Sequence, residues 1–192
     1  MRATEINRKT KETDIKLAIN LDGTGKAEIT TGIGFFDHML TALAVHSGMD
    51  IHLEVKGDLE VDCHHTIEDT GIVLGMALGE LLSDKSAIQR YGTFYVPMDE
   101  ALAFTSMDIS GRAFLVFNAQ FKNQSVGQMD CCMTEEFFRA VAVNAGITLH
   151  INLLYGSNDH HSIEAIFKAC AHALKIAMAP HSGGVLSTKG VL

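Results

Sequence analysis

The sequence has few cysteines and no long apolar run. Its four cysteines have neither metal-binding spacing nor the pattern of a disulfide framework: Cys63, Cys131, Cys132 and Cys170. The adjacent pair could bond to each other only under strain. No stretch approaches 18 apolar residues, and the first residues lack the apolar segment of a secretory signal. These absences predict a protein of the reducing cytoplasm that does not span a membrane.

Positive charge is also scarce. Fifteen lysines and arginines stand against 23 aspartates and glutamates, which gives a formal net charge of −8. This balance argues against nucleic acid or an anionic membrane as the main partner. The sequence has no GxxxxGK[ST], GxGxxG or GxSxG motif, so neither a nucleotide-binding loop nor a hydrolase elbow is indicated. With 47% hydrophobic residues, the composition is that of a globular protein.

An unusual histidine motif is present in two copies. HHTIED at 64–69 returns as HHSIEA at 160–165, 96 residues later. Around both copies the hydrophobic periodicity follows one order and predicts a β-β-α-β-α unit in each half. Two sheets with helices on one face can bury those helices against each other, so we expect an α/β (α+β) fold with an internal duplication.

The repeat also sets the predicted domain boundaries. We expect one domain over 1–192, made of halves at about 1–90 and 91–180, with a C-terminal tail at 180–192. Glycines and polar residues in the tail predict a loop or a mobile segment.

The register of the repeat places particular residues opposite each other. Gly48 and Gly146 close corresponding predicted helices, and their offset of 98 residues sets His38 opposite Glu136. Farther toward the N-terminus of each half, an offset of 88 residues sets Glu12 opposite Glu100. The differences between offsets fall in loops, where insertions are tolerated.

Each histidine motif opens a predicted helix and offers ligands to a metal ion. His65 and Glu68 lie three residues apart on one helical face, whereas His64 points about 100° away but stays within reach of Glu68. One motif therefore supplies two neighbouring sites, and its duplicate supplies a matching set. With His38 and Glu136 the predicted ligands number eight, which divides into two sites of four. Nitrogen and oxygen ligands suit manganese, iron, zinc or nickel, and manganese fits this mixture best.

Basic residues are few in this sequence, so those that stand near glycines are informative. Arg90 precedes YGT, Arg112 follows the glycine of SGRAF, and Lys189 lies in STKG. Guanidinium groups bind phosphate oxygens through paired hydrogen bonds, so these residues are candidates for a phosphate-binding site, with ordinary surface charge as the alternative for each of them. Two other functions stay open at this point. A dinuclear metallohydrolase would use the same ligands, and a metal-storage or metal-stapled shell protein would need the ligands without the arginines.

Motifs along nearly the whole chain resemble those of one known family. They are TGIGFFDHML, HHTIEDTGIVLG, QRYGT, PMDEALA, DISGRAF, EEFFRA, TLHI, GSNDHHSIEAIFKA and STKGV. On these motifs the chain resembles the imidazoleglycerol-phosphate dehydratases. The resemblance implies a lyase that converts D-erythro-imidazole-glycerol phosphate to imidazole-acetol phosphate in histidine biosynthesis. It also implies helices packed between two sheets, and a homo-oligomer of about 24 subunits, built from trimers with active sites between subunits.

The resemblance assigns roles residue by residue. The implied cofactor is Mn²⁺, two ions per active site. At one ion the implied ligands are His38, His65, Glu68 and His160. At the other they are His64, Glu136, His161 and Glu164. The implied catalytic groups are Glu12, His38, His65, Glu68, His161 and Glu164. The implied substrate contacts are Glu12, His38, His46, His64, His65, Glu68, Arg90, Arg112, His160, His161, Lys168, Ser187 and Lys189.

One ligand position departs from the family pattern. Many members have histidine where this sequence has Glu136, giving EHFF in place of EEFF. A carboxylate oxygen also binds manganese, so we expect the site to be retained.

The implied reaction explains why the ligands are doubled. Two divalent ions would hold both ring nitrogens of the substrate and favour its imidazolate, which then expels hydroxide through a diazafulvene-like intermediate. Loss of the neighbouring proton gives an enol and then the ketone, with Glu12 as the expected acid/base. The phosphate would be held by Arg90, Arg112, Ser187 and Lys189.

Overall fold

The computed structural model describes residues 1–190; residues 191 and 192, the end of the predicted tail, lie outside the described part. The first half contains β1 (Ala3–Lys9), β2 (Thr13–Asn20), β3 (Ala27–Thr30), α1 (Gly34–Ser47), β4 (Asp50–Gly57) and α2 (His64–Leu81). The second half contains β5 (Tyr91–Met98), β6 (Ala101–Asp108), β7 (Phe114–Asn118), β8 (Ser125–Val126), β9 (Met129–Asp130), α3 (Met133–Ala145), β10 (Thr148–Tyr155) and α4 (Asp159–Ala177). A short 3-10 turn at Lys85–Ala87 joins them.

The two halves form four-stranded sheets of the same topology. The strand order is β1-β2-β4-β3 in the first sheet and β5-β6-β10-β7 in the second. In each sheet the last strand of that order runs parallel to its neighbour, and the other pairs are antiparallel. The short β8–β9 hairpin is a separate pair. The predicted fold class, an α/β duplication, is confirmed.

Each four-stranded sheet has one strand more than the hydrophobic periodicity predicts, and the short β8–β9 pair was not predicted either. The additional strands, β1 and β5, both lie at the edge of their sheets. No residue of β1 is buried, and β5 exposes Tyr91 and Tyr95 to solvent. An edge strand is less covered than a central one, so its sequence carries only a weak hydrophobic pattern.

The four helices lie between the two sheets, as expected. Helix α2 packs on the first sheet and α4 on the second, and the contacts α1–α4 and α2–α3 join the two layers. Three fully buried phenylalanines mark this junction. The ring centroids of Phe36 and Phe137 are 5.4 Å apart, and those of Phe137 and Phe167 are also 5.4 Å apart. The hydrophobic core therefore runs through both halves.

The helix ends follow local chemistry. Gly48 and Gly146 end α1 and α3 in the left-handed conformation, with φ of 80° and 65°, and each donates its backbone N–H to a carbonyl of the last turn. At the start of α4, the Asn158 side chain accepts hydrogen bonds from the backbone N–H groups of His160 and His161. Among residues 1–190, no helix has both the length and the apolar character needed to cross a bilayer.

Helices α2 and α3 approach closely through glycine. Gly71, Gly75 and Gly79 recur once per turn on the face of α2 that meets α3. A Cβ atom at Gly75 would lie 2.8 Å from the carbonyl oxygen of Val141 and 2.7 Å from the Cβ of Asn144. Both distances are shorter than van der Waals contact, so this helix pair requires glycine.

We predict that Gly75→Ala lowers the free energy of unfolding by about 1–3 kcal/mol, because relieving the clash moves the two backbones apart. Higher helix propensity would return about 0.5–1 kcal/mol at most, so the clash dominates. Gly34→Ala is the matched control, since its Cβ would meet no atom within 4 Å. Thermal unfolding of the two variants measures the difference. Equal melting midpoints for Gly75→Ala and wild type would contradict the packing argument.

Candidate metal and phosphate-binding site

The second histidine motif contributes to a cluster formed by both halves. Nε2 of His160 lies 3.3 Å from a carboxylate oxygen of Glu164, one turn along α4. Nε2 of His38, on α1, lies 3.5 Å from the same oxygen. In the part of the chain that the structure describes, these three residues are the one set of three or more whose possible ligand atoms all lie within 4.8 Å of one another. Imidazole and carboxylate at this spacing fit a divalent cation.

Lys168 neutralises part of this cluster. Its Nζ donates a hydrogen bond of 2.6 Å to the second carboxylate oxygen of Glu164. Burial alone would raise the pKa of the Glu164 carboxyl, but the hydrogen bond and charge of Lys168 outweigh it and lower that pKa. Glu164 is therefore an ionised carboxylate at neutral pH, although it is only 6% exposed.

The first histidine motif forms a second, smaller cluster at the start of α2. Nε2 of His64 lies 3.4 Å from a carboxylate oxygen of Glu68, four residues along the helix, as the helical spacing predicts. His65 points elsewhere: its Nδ1 donates to Asp58 at 3.0 Å, and its Nε2 lies 3.9 Å from Glu12. The hydrogen bond to Asp58 raises the pKa of His65.

His161 has a similar carboxylate partner in the second half. Its Nδ1 donates a hydrogen bond of 2.8 Å to Glu100. Glu100 also accepts from the backbone N–H groups of Ser157 and Asn158. The hydrogen bond from His161, together with these backbone bonds, holds the pKa of Glu100 far below its usual range, and the same contact raises the pKa of His161.

Glu136 lies in the first turn of α3, apart from both clusters. Its carboxylate is 3.5 Å from Nε of Arg139. Within residues 1–190, Glu136 forms no other ion pair. Glu136 precedes Gly146 by ten residues, just as His38 precedes Gly48 by ten. The structure therefore gives Glu136 and His38 equivalent places on their helices, but it does not bring Glu136 to the other predicted ligands of the same chain.

Four predicted substrate contacts line one pocket of about 750 Å³. They are Arg90, Arg112, Ser187 and Lys189. Arg90 has a left-handed backbone (φ 70°), and its guanidinium donates two hydrogen bonds to Asp108, at 2.7 and 3.0 Å. A third guanidinium hydrogen bond reaches the carbonyl oxygen of Leu186 in the tail. Arg112 is mostly exposed, and its Nη2 lies 3.2 Å from Oδ2 of Asp108, an oxygen that also accepts from Arg90. A cationic pocket of this kind suits a phosphate group.

His46, another predicted substrate contact, is paired with a histidine that the sequence did not single out. Nδ1 of His46 lies 3.1 Å from Nε2 of His172, between α1 and α4. The His172 ring stacks on Phe94, with centroids 4.4 Å apart. Burial, followed by the charge of the partner ring, lowers the pKa of His46, and burial also lowers the pKa of His172.

The cysteines take no part in these clusters. All four are free, and Cys132 alone is exposed. Burial raises the pKa of the Cys170 thiol to about 12 and that of the Cys131 thiol to about 11.

Comparison with known proteins agrees with the resemblance seen in the motifs. The sequence pattern described as "Imidazoleglycerol-phosphate dehydratase" matches residues 31–174. The chain belongs to the imidazoleglycerol-phosphate dehydratase family. It is 56% identical over 193 residues to the enzyme of that name from Acetivibrio thermocellus, covering 100% of this chain and 99% of the relative. It is 59% identical over 194 residues to the one from Ruminiclostridium cellulolyticum, covering 100% of both.

Solved structures of imidazoleglycerol-phosphate dehydratases have the same fold. The enzyme from Staphylococcus aureus superposes with a TM-score of 0.85 at 45% identity, over 93% of this chain and 99% of that one. The enzyme from Pyrococcus furiosus, in complex with (S)-C348, superposes with a TM-score of 0.84 at 39% identity, over 97% and 100%. The chain is therefore an enzyme, a dehydratase of the family that acts in histidine biosynthesis.

Sequence reasoning gave no site role to Asp58, Asp108 or Glu100, although Asp108 stands in DISGRAF and Glu100 in PMDEALA. The contacts of Asp58 with His65 and of Asp108 with Arg90 could not be read from spacing, because each joins separate elements. Glu100 did carry a signal, since the repeat register places it opposite Glu12. The His46–His172 contact could not be expected either, because it joins two helices 126 residues apart.

We predict that acidification destabilises the protein partly through this histidine pair. The folded-state pKa of both rings lies below the ordinary value of about 6.5, so the unfolded chain binds more protons as pH falls through 6.5. The stability is thus present above pH 6.5 and is lost below it. Between pH 7.5 and 5.5, with a chelator present, the melting midpoint of wild type should fall more than that of His172→Gln. Equal falls would contradict this role.

Proposed function

We propose that the enzyme dehydrates D-erythro-imidazole-glycerol phosphate to imidazole-acetol phosphate. The observation that carries this proposal is the cluster of His38, His160 and Glu164, whose ligand atoms lie within 4.8 Å in a member of this family. The cationic pocket around Arg90 and Arg112 supports a phosphorylated substrate. An imidazole–carboxylate cluster alone would fit many metal-dependent activities. The cationic pocket favours those that act on a phosphorylated substrate.

We propose Mn²⁺ as the cofactor, two ions per active site. The chemistry of the ligands fits this ion, since imidazole nitrogens and ionised carboxylates approach one point without a thiolate. One proposed set of ligands is His38, His65, Glu68 and His160. The other is His64, Glu136, His161 and Glu164. Bound divalent ions would hold the ring nitrogens of the substrate and stabilise its imidazolate form.

We propose that neighbouring subunits complete these sites. In one chain Glu164 contacts His38 and His160, whereas Glu68 contacts His64. Each proposed set therefore mixes groups that one chain holds in separate clusters, and a second copy is the simplest source of the missing ligands. This arrangement supports a homo-oligomer, for which the family resemblance gives about 24 subunits built from trimers. A cytoplasmic location fits a biosynthetic enzyme of this kind.

Glu12 is the proposed acid/base. It lies between β1 and β2, its side chain is more than half exposed, and its carboxylate faces Nε2 of His65 at 3.9 Å. The carboxylate would take the proton from the carbon beside the one that loses hydroxide, and would return it when the enol becomes the ketone. Its position next to a proposed metal ligand supports this role, since the reacting carbons would lie near the ions.

The pocket at the tail is the proposed phosphate site. Asp108 fixes the guanidinium of Arg90 through two hydrogen bonds, so the remaining N–H groups are oriented before a substrate arrives. Lys189 and Ser187 come from the tail, which Arg90 holds through the carbonyl of Leu186. Lys168 and His46 are the proposed contacts along α4 and α1 toward the metal cluster. Holding the phosphate would fix the reacting carbons relative to the metal ligands.

Incubation with imidazoleglycerol phosphate and Mn²⁺ tests the activity directly. We expect the keto product. Release of inorganic phosphate would instead indicate a metallohydrolase, and no conversion would indicate a metal-storage protein. Glu12→Gln should lower kcat by about 10²- to 10⁴-fold, since a positioned acid/base contributes that factor, while the manganese content stays unchanged. A Glu12→Gln enzyme with wild-type kcat would remove Glu12 from the mechanism.

Glu136 tests the departure from the family pattern. If Glu136 binds metal, Glu136→Ala should lower the bound manganese from two ions toward one per active site, and Glu136→His should keep both because imidazole is an equivalent ligand. Glu135→Ala is the matched control, since Glu135 lies about 100° around the same helix and also contacts Arg139. Metal analysis of the three variants measures this. Full occupancy in Glu136→Ala would show that this carboxylate is not a ligand.

A further inference from the structure

Two glutamates at equivalent positions of the repeat have different surroundings. Glu12 and Glu100 each lie between the first two strands of their half, at the offset of 88 residues. Glu12 has one imidazole atom at 3.9 Å and no side-chain hydrogen bond among the described residues. Glu100 accepts four hydrogen bonds, three at Oε1 and one at Oε2. The duplication has therefore given the same position two uses.

In the second half, Glu100 connects a loop to the histidine motif. Its Oε1 accepts from the backbone N–H and the hydroxyl of Ser157 and from the backbone N–H of Asn158, at 3.0, 3.1 and 2.7 Å. Its Oε2 accepts from Nδ1 of His161 at 2.8 Å. One carboxylate thus holds the residues that cap α4 and the ring that follows them.

In the first half, Asp58 takes the place of Glu100. It follows β4, and both of its carboxylate oxygens lie at 3.0–3.1 Å from Nδ1 of His65. Asp58 therefore accepts a hydrogen bond from Nδ1 of His65, and Nδ1 is also the atom through which His161 donates to Glu100. Because Asp58 supplies this contact, Glu12 is not needed for it and stays unbonded.

These contacts determine the tautomer of both rings. An ionised carboxylate can only accept a hydrogen bond, so Nδ1 of His65 and of His161 must carry the proton. In a neutral imidazole the lone pair is then at Nε2, the nitrogen that is left for a metal ion. A histidine ligand of a metal ordinarily donates its other N–H to a carboxylate in this way.

We propose that Glu100 and Asp58 are positioning residues that keep His161 and His65 in the tautomer able to bind metal through Nε2. The inference rests on the proposed metal sites. It also accounts for the free carboxylate of Glu12, since in the first repeat Asp58 does the orienting and leaves Glu12 for proton transfer. Neither Glu100 nor Asp58 would touch the ion.

Glu100→Gln is the decisive variant. To satisfy the two backbone N–H groups, its amide oxygen must take the place of Oε1, which leaves the amide nitrogen facing Nδ1 of His161. An amide nitrogen only donates, so His161 would carry its proton on Nε2 and lose the free lone pair. We expect the affinity for Mn²⁺ to fall about 10- to 100-fold, the usual effect of removing such a partner, while the melting midpoint of metal-free enzyme stays near wild type.

Asp58 gives an independent test in the first repeat, where the carboxylate holds no loop. Asp58→Asn should lose less affinity than Glu100→Gln, because no other bond fixes its amide and the oxygen can turn toward Nδ1. Asp58→Ala removes the acceptor and should lose more than Asp58→Asn. Glu28→Gln is the control: Glu28 makes a like contact to His52 at 2.9 Å on the outer face of the first sheet, and its loss should not change Mn²⁺ affinity.

Titration of the full-length enzyme with Mn²⁺ against a competing chelator measures all four variants. Wild type that binds no Mn²⁺ would overturn the proposed function, and this inference with it. Wild type that binds Mn²⁺ while Glu100→Gln and Asp58→Ala bind it equally well would overturn the positioning role alone. A lower melting midpoint in Glu100→Gln with unchanged affinity would likewise show that Glu100 serves only the loop.

Discussion

The packing of α1 against α4 is the constraint on which the candidate site depends. His38 comes from the first half and Glu164 from the second, and only this helix contact brings Nε2 of one within 3.5 Å of the other. The contact is held by the same core that joins the two sheets, so the chemistry of the cluster depends on the burial of apolar side chains. A half-chain could form a sheet with its own helices, but it would hold an incomplete set of ligands.

Much of the fold followed from the sequence, because the core-facing residues of central strands and helices have strong periodicity. The duplication, the helix-ending glycines and the position of both histidine motifs at helix starts could be read from spacing. The edge strands β1 and β5 could not, since few of their side chains are buried. The hydrophobic periodicity of a strand reflects which of its side chains are buried, so it is weakest in the strands that are most exposed to solvent.

The candidate site was predictable in its composition but not in its internal pairing. The sequence singled out His38, His160 and Glu164, which the structure brings together, and the helical rise limited which could be neighbours. It could not show that Glu164 would join His38, or that Asp58 would bond His65, because those contacts depend on how separate elements pack. Assignment of ligands to particular ions depends on the assembly as well, and it stays a prediction.

The high thiol pKa values have a consequence for metal selection. With pKa values of about 12 and 11, Cys170 and Cys131 are almost wholly protonated in any cellular compartment, so they offer no thiolate. Soft ions such as copper(I) depend on sulfur ligands, whereas the open histidine and glutamate groups present harder donors. Because Cys170 and Cys131 are buried, the candidate site offers nitrogen and oxygen donors only, and the exposed thiol of Cys132 lies outside its clusters.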